Sequence, residues 1–102
     1  MKAIKTLVDN MRDEMHDASK YADLALKNKD DDRELSSMYM ELAKQELDHS
    51  DKEHAQAVRL INRFRDSGKT VPEAMQAVWD WEHEKLIEDR KAVEITLDLA
   101  RK

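Results

Sequence analysis

The sequence predicts an all-α fold, and three observations support that prediction. The chain has 102 residues, of which 40% are charged and only 5% are aromatic, with one glycine and one proline. This composition is poor in strand formers and turn residues and is typical of long helices. Apolar residues also recur at steps of three and four, which is helical periodicity and argues against disorder. We therefore expect one helical domain over residues 1–102.

The first helix is predicted over residues 2–27. One of its positions is acidic, because Glu14 falls on the apolar stripe one heptad after Leu7 and one heptad before Tyr21. The run from Asn28 to Asp32 then breaks the pattern, and its aspartates suit the N-terminus of the next helix. The apolar positions of this stripe are Ile4, Leu7, Val8, Met11, Met15, Ala18, Tyr21, Ala22 and Ala25.

The second helix is predicted over residues 32–67, with a polar insertion in the middle of its stripe. Glu46, His49 and Glu53 occupy positions that face the interior, with apolar residues before and after them. Burying a lone carboxylate is unfavourable unless a cation, a donor or a proton compensates it. The insertion therefore predicts a functional site. The apolar part of the stripe is Leu35, Met38, Tyr39, Leu42, Ala57, Leu60, Ile61 and Phe64.

The third helix is predicted over residues 72–101. Gly68 suits the left-handed position after the second helix, and the segment from Thr70 to Glu73 has the pattern of a capping box with proline in the first turn. Within the helix, Asp80 and His83 repeat the acid-x-x-His spacing, although a packed stripe of Trp79, His83 and Leu86 is the favoured interpretation. The apolar stripe is Met75, Val78, Trp79, Leu86, Val93, Leu97 and Ala100.

The spacing of the polar insertion points to a metal. Residues three apart on a helix are neighbours, so Glu46 and His49 project into the same space, and Glu53 lies one turn further along. If the first two helices pair as an antiparallel hairpin, Glu14 comes level with them. Helix bundles bind di-iron or di-manganese centres through two Glu and two Glu-x-x-His motifs, and this chain supplies half of that set. A twofold dimer would complete it.

Carboxylate and imidazole donors without thiolate favour iron or manganese. We therefore expect two iron ions per dimer interface, with manganese as an alternative. The predicted metal and catalytic residues are Glu14, Glu46 and His49, and Glu53 is a further candidate ligand.

These residues resemble a known family. Glu14 with Tyr21 on one helix, followed by Glu46-x-x-His49 on the next, resembles the metal-site pattern of the ferritin-like superfamily. Residues 41–49 are similar to the second helix of rubrerythrin or ferritin. The half-site layout is most similar to that of the encapsulated ferritins, and the match covers about residues 8–60.

The resemblance implies a ferritin-like four-helix bundle completed by homodimerisation. It also implies ferroxidase activity, in which Fe(II) is oxidised with O₂ for iron storage or detoxification. Glu14, Glu46 and His49 would be ligands, and Tyr21 would hydrogen-bond a ligand carboxylate. The family often has acidic residues beside the first ligand as an access site for the ion, and here those positions are Asp13, His16 and Asp17.

Two other classes of function stay open. In a non-catalytic helical adaptor, Glu46, His49 and Glu53 would lie at a polar subunit interface. In a magnesium-dependent all-α nucleotide pyrophosphatase, Asp13, Glu14 and Asp17 would bind the ion, but His49 is a poor ligand for a magnesium site built from oxygen donors. His16 and His54 fall off the apolar stripes, and His16, beside Asp13 and Asp17, is predicted to lie on the surface.

Composition sets the remaining expectations. There is no cysteine, so disulfides, zinc fingers and thiol chemistry are excluded. No signal-peptide core or membrane-spanning run is present, so we expect a cytoplasmic protein without membrane contact. The net charge of −5 has both signs interleaved, which predicts no nucleic-acid partner. Stripes too long for one small chain to bury predict a homodimer or a larger homo-oligomer. Packaging in a shell is not expected, because no cargo peptide follows Ala100.

Overall fold

The computed structural model describes residues 2–102 and consists of three helices, with no strand in that range. The helices are α1 (Lys2–Lys27), α2 (Arg33–Asp66) and α3 (Glu73–Arg101), within one residue of their predicted bounds. The predicted all-α class is therefore confirmed. The molecule measures 57 × 18 × 17 Å, so its helices run along its length. None of the three is apolar enough over a sufficient length to cross a membrane.

Helices α1 and α2 form an antiparallel hairpin. Asp32 caps α2, because its side chain accepts a hydrogen bond from the backbone N–H of Leu35 at 3.0 Å. The Ser36 hydroxyl donates to the carbonyl oxygen of Ala25 at 2.7 Å and joins the end of α1 to the start of α2. Further along the hairpin, the Tyr21 and Tyr39 rings stack with centroids 6.2 Å apart.

The contact between α1 and α2 is a seam of buried residues with heptad spacing, and many of its members are small. Small side chains allow two helices to approach closely. Ser36 and Ser50 belong to the seam despite their hydroxyl groups. The buried positions on α1 are Ile4, Val8, Met11, Met15, Ala18, Ala22 and Ala25, and those on α2 are Ser36, Met40, Ala43, Leu47, Ser50, Ala57 and Ile61.

This seam corrects the stripe that the sequence predicted for α2. Leu35, Tyr39 and Leu42 are only half-buried, and Met38 and His49 are exposed. This part of the predicted stripe therefore lies on one flank of the hairpin, whereas Ala57 and Ile61 of the same stripe are buried in the seam. The prediction failed in the first half of α2 because it ranked residues by hydrophobicity. Ser36, Ala43 and Ser50, which this ranking places low, are buried in the seam together with Met40 and Leu47.

The connection into α3 differs from the prediction at one point. Gly68 adopts φ = 79°, the left-handed conformation predicted at the end of α2. However, the N-cap of α3 is Pro72, and no side chain caps that end of the helix. The predicted capping box at Thr70 is therefore wrong.

Helix α3 packs mainly against α1 and makes fewer contacts with α2. Its buried face contains Leu86, Val93, Leu97 and Ala100, as predicted, but Val78 is 59% exposed. The sequence also missed Glu82, which is only 5% exposed and accepts a hydrogen bond from the Arg12 guanidinium of α1.

Three arginine side chains make further polar contacts between α2 and α3. The Arg65 guanidinium of α2 donates to the side-chain carbonyl oxygen of Gln76. Arg90 pairs with Asp51. At the other end of α3, the Arg33 guanidinium donates to the carbonyl oxygens of Ala100 at 2.8 Å and Arg101 at 3.0 Å. The last carbonyls of a helix have no partner within it, so Arg33 acts as their cap.

Replacing Ser36 by valine tests the seam. A branched side chain would separate the two helices and remove the hydroxyl donor to Ala25, which should lower the free energy of unfolding by about 1–3 kcal/mol. Ser37→Val is the matched control, since Ser37 is exposed and adjacent. Its effect should stay within about 0.5 kcal/mol in urea unfolding. Equal effects at both positions would contradict the close approach of the helices.

Replacing Arg12 by alanine tests the contact with Glu82. The variant leaves a buried carboxylate without its cation, which should destabilise the protein by about 1–3 kcal/mol. Adding Glu82→Leu should recover most of that loss, because the uncompensated charge is then removed. Lys52→Ala breaks the exposed 2.9 Å pair with Asp48 and should change stability by less than about 1 kcal/mol. A double variant no more stable than Arg12→Ala would contradict this account.

Candidate functional site

The structure brings three carboxylates together on the flank of the hairpin that faces away from α3. Glu14 lies on α1, and Glu46 and Glu53 lie on α2; all three are half-buried. The Glu14 and Glu53 side chains are close enough to share a hydrogen bond when one of them is protonated. The Oε2 atoms of both residues are buried and have no hydrogen-bond partner in the described part of the chain. The predicted clustering of these acids thus corresponds to a real juxtaposition.

Burial raises the pKa of Glu14 to about 8, and the hydrogen bond to Glu53 and the negative charges of Glu53, Glu46 and Asp13 act in the same direction. Two carboxyl groups in contact cannot both ionise cheaply, so one of them keeps its proton. At neutral pH, Glu14 therefore retains a proton that can be donated to Glu53. A proton, rather than a cationic side chain, compensates the charge of this pair.

The other predicted site residues are less enclosed. The His49 side chain is 53% exposed, and its Nδ1 atom lies 3.7 Å from Oε1 of Glu46, too far for a good hydrogen bond. The Tyr21 ring packs on Tyr39. The three residues predicted as an access site are all exposed: Asp13, His16 and Asp17. Within residues 2–102, no three His, Cys, Asp or Glu side chains are grouped in a way that could hold a metal ion.

A second cluster lies on the flank that α3 covers. The His54 ring stacks on His83 with centroids 4.9 Å apart and on Trp79 with centroids 5.8 Å apart. Its Nε2 atom is buried without a partner in the described chain. Burial and the neighbouring His83 lower the pKa of His54, although Asp51 acts in the opposite direction. His54 is therefore a neutral packing residue at neutral pH.

His54 falls off the apolar stripe predicted for α2, yet the structure places it half-buried beneath α3. The residue falls four positions after Ser50 and three before Ala57, so it continues the spacing of the seam, and that spacing was the signal available in the sequence.

Asp80 and His83, the acid-x-x-His pair of α3, do not act together. Asp80 is exposed and accepts a hydrogen bond from the Gln76 amide at 2.9 Å, while His83 takes part in the aromatic stack.

An apolar groove of about 470 Å³ lies between the start of α1 and the start of α3. Polar groups are confined to Lys5, Asp9 and Arg12, and the last two form an ion pair at 3.9 Å. Convergent polar groups are what orient a substrate in an active site. This groove therefore has the character of a packing surface. Its other lining residues are Ile4, Val8, Pro72, Met75, Val78 and Trp79.

The raised pKa of Glu14 predicts a pH-dependent stability. The folded state holds the proton up to about pH 8, whereas the ordinary pKa is 4.5. Between these values the folded state binds more protons than the unfolded state, so stability falls as pH rises. The slope from this one group cannot exceed about 1.4 kcal/mol per pH unit. Its contribution is full below about pH 4.5 and is lost above about pH 8.

The variant Glu14→Gln keeps a hydrogen-bond donor to Glu53 but does not titrate. The wild type should therefore lose stability relative to this variant as pH rises from 6 to 8, measured by urea unfolding at each pH. Glu41→Gln, at an exposed position of α2, should follow the wild-type profile. Parallel profiles for the wild type and Glu14→Gln would contradict the shared proton.

Comparison with known proteins gives one result, a family match that covers nearly the whole chain. The family described as "WDR72, alpha-solenoid domain" matches residues 4–100, which include most of α1 and α3 and all of α2. No curated protein and no solved structure matches the chain.

This match overturns the resemblance to the ferritin-like superfamily, and with it the expectation of a ferritin-like, metal-binding di-iron ferroxidase. The family match extends through α3, whereas the ferritin-like pattern covered only about residues 8–60. The resemblance depended on the spacing of Glu14, Glu46 and His49. In this structure the raised pKa of Glu14 keeps a proton on that carboxyl beside Glu53, and the His49 side chain is 53% exposed with its Nδ1 atom 3.7 Å from Glu46. The chain belongs to the WDR72 alpha-solenoid domain family.

Proposed function

We propose that this chain is a non-catalytic helical interaction protein that pairs with a second copy through the uncovered flank of its hairpin. We name this flank the hairpin face. It consists of Leu7, Glu14 and Tyr21 of α1 and of Leu35, Tyr39, Leu42, Glu46, Glu53 and Leu60 of α2.

The single observation that carries this proposal is that the six leucine and tyrosine side chains of the hairpin face are only half-buried. Arg12, Asp51 and His54, the side chains through which the hairpin contacts α3, project from the opposite flank. The leucine and tyrosine side chains of the hairpin face are partly exposed to solvent. Covering them would contribute about 25 cal/mol for each Å² of apolar surface removed from water.

That the chain belongs to an alpha-solenoid family supports a role in protein–protein interaction. Solenoid proteins stack helical pairs face to face, and each pair buries its apolar surface only against a neighbour. Pairing two copies of the α1–α2 hairpin would produce a four-helix bundle in which each hairpin face meets the other. Twofold pairing is the most common way in which identical chains associate.

The polar centre of the hairpin face is compatible with such burial. Because Glu14 is protonated at neutral pH, the pair with Glu53 carries one negative charge instead of two. The cost of removing it from water is correspondingly smaller. The exposed His49 near Glu46 supplies a group that can donate a hydrogen bond across the interface.

The assembly can be tested by light scattering coupled to size-exclusion chromatography. We expect the wild type to be a dimer at micromolar concentration. Leu42→Lys places a charge in the apolar half of the hairpin face and should yield a monomer. Ile87→Lys, at an exposed position of α3, is the matched control and should remain a dimer. A wild-type chain that stays monomeric at high micromolar concentration would contradict the proposal.

A further inference from the structure

Two histidine side chains from different helices are stacked where α3 covers the hairpin. His54 belongs to α2 and His83 to α3, and their ring planes are inclined by 19° with centroids 4.9 Å apart. The Trp79 ring lies 5.8 Å from both imidazoles, and we name the three rings the ring stack. Both histidines are half-buried and line a small pocket of about 150 Å³ with Met11 and Met15 of α1. Because Trp79 and His83 belong to α3, the ring stack exists only while α3 is docked.

The ring stack is a poor environment for a positive charge on His54. A charged imidazole carries an N–H at both ring nitrogens, and Nε2 of His54 is buried with no hydrogen-bond partner in the described chain. A donor buried without an acceptor destabilises the folded state. A charge on His83 would add repulsion across the short distance between the two rings. Burial and His83 accordingly lower the pKa of His54.

The charged groups around the ring stack offset this cost only in part. Asp51 of α2 is the one acid among the described residues that line the pocket, and it acts to raise the pKa of His54. Its carboxylate is already paired with the Arg90 guanidinium of α3, which lines the same pocket. From α1 the pocket receives two methionine side chains, and Arg12, the next residue along that helix, is bonded to Glu82. A protonated pair of histidines would therefore face a further cation and an acid that is already paired.

We propose that the ring stack is a pH-sensitive contact, which holds α3 on the hairpin at neutral pH and releases it on acidification. When α3 is detached, both imidazoles lie in water, where the ordinary pKa of histidine is about 6.5. When α3 is docked, His54 takes up its proton only at lower pH. Between these values the detached state binds more protons, so a fall in pH favours detachment, by at most about tenfold per pH unit for each proton.

Acidification does not weaken the hairpin in the same way. The buried residues of the seam are aliphatic, methionine or serine and do not titrate in this range. The pair of Glu14 and Glu53 lies on the opposite flank, and its contribution to stability increases as pH falls. The expected product of mild acid is therefore an opened molecule, in which the hairpin stays folded, α3 is detached and the apolar flank around Met11 is uncovered.

The experiment is hydrogen–deuterium exchange of the full chain at about pH 7 and about pH 5, followed by mass spectrometry of peptides from each helix. Correction for the intrinsic exchange rate at each pH makes the protection of a peptide a measure of its opening equilibrium. Protection of α3 should fall at least about threefold on acidification, whereas protection of α1 and of residues 33–47 should not fall. The lower pH stays above the range in which carboxyl groups ordinarily take up protons.

Variants of the two histidines assign the effect to the ring stack. His54→Phe keeps an aromatic ring in the stack but cannot take up a proton, so most of the fall in α3 protection should disappear. His83→Phe removes only the repulsion between the rings and leaves His54 buried, so its fall should lie between those of the wild type and His54→Phe. His54→Leu serves the same purpose if the larger ring prevents folding. His16→Gln, at an exposed histidine of α1, is the matched control and should show the wild-type fall.

Three results would overturn the proposal. They are an α3 protection that does not change with pH, an equal loss of protection in all three helices, and a fall in His54→Phe or His54→Leu as large as that of the wild type. Leu42→Lys, on the hairpin face, should show the wild-type fall, because that face lies on the flank opposite the ring stack. Failure of the proposed dimer is thereby distinguished from failure of the pH-sensitive contact.

Discussion

The close packing of α1 on α2 is the constraint on which the rest of this structure depends. Alanine and serine occupy much of the seam, and the Ser36 hydroxyl is satisfied by the Ala25 carbonyl inside it. Small residues let the two helices approach closely, and the leucine and tyrosine side chains outside the seam lie on its flanks. One flank receives α3 and the stacked rings of His54 and His83. The other holds leucine, tyrosine and the three carboxylates.

The same constraint explains the chemistry of the carboxylates. Glu14 and Glu53 project from neighbouring helices into one narrow, half-buried space, where the repulsion between two charges would be large. Retention of a proton by Glu14 resolves it without a cationic side chain. A polar group on an apolar stripe is therefore not in itself a sign of a metal. The family to which the chain belongs places this arrangement within an alpha-solenoid domain.

The sequence predicted the three helices and the juxtaposition of Glu14 with the acids of α2, because helical periodicity and the turn signals at Asp32 and Gly68 are local. It did not predict which side of α2 faces α1. That choice depends on how small residues fit together across the hairpin, and hydrophobicity does not report fit. For the same reason, the sequence missed His54, which occupies a seam position on α2.

The burial of Glu82 could not be predicted from the sequence either. Its partner is Arg12, 70 residues earlier in the chain, and nothing in the local pattern links the two. The resemblance to ferritin-like proteins failed for a different reason. The spacing of Glu46 and His49 shows only that both side chains project from the same side of α2. Metal binding requires in addition that several donor atoms converge on one point.

The contact between α3 and the hairpin differs in kind from the contact between α1 and α2. Besides its apolar face, it is held by Arg12, Arg33, Arg65 and Arg90, four cations spaced along the hairpin and the helix. Local opening of a protein follows its weakest cooperative unit. Helix α3 is therefore the element that we expect to open first, which would uncover the apolar flank around Met11. High ionic strength would favour that opening, because the exposed pairs of Arg65 and Arg90 are weakened by salt while the seam between α1 and α2 is not.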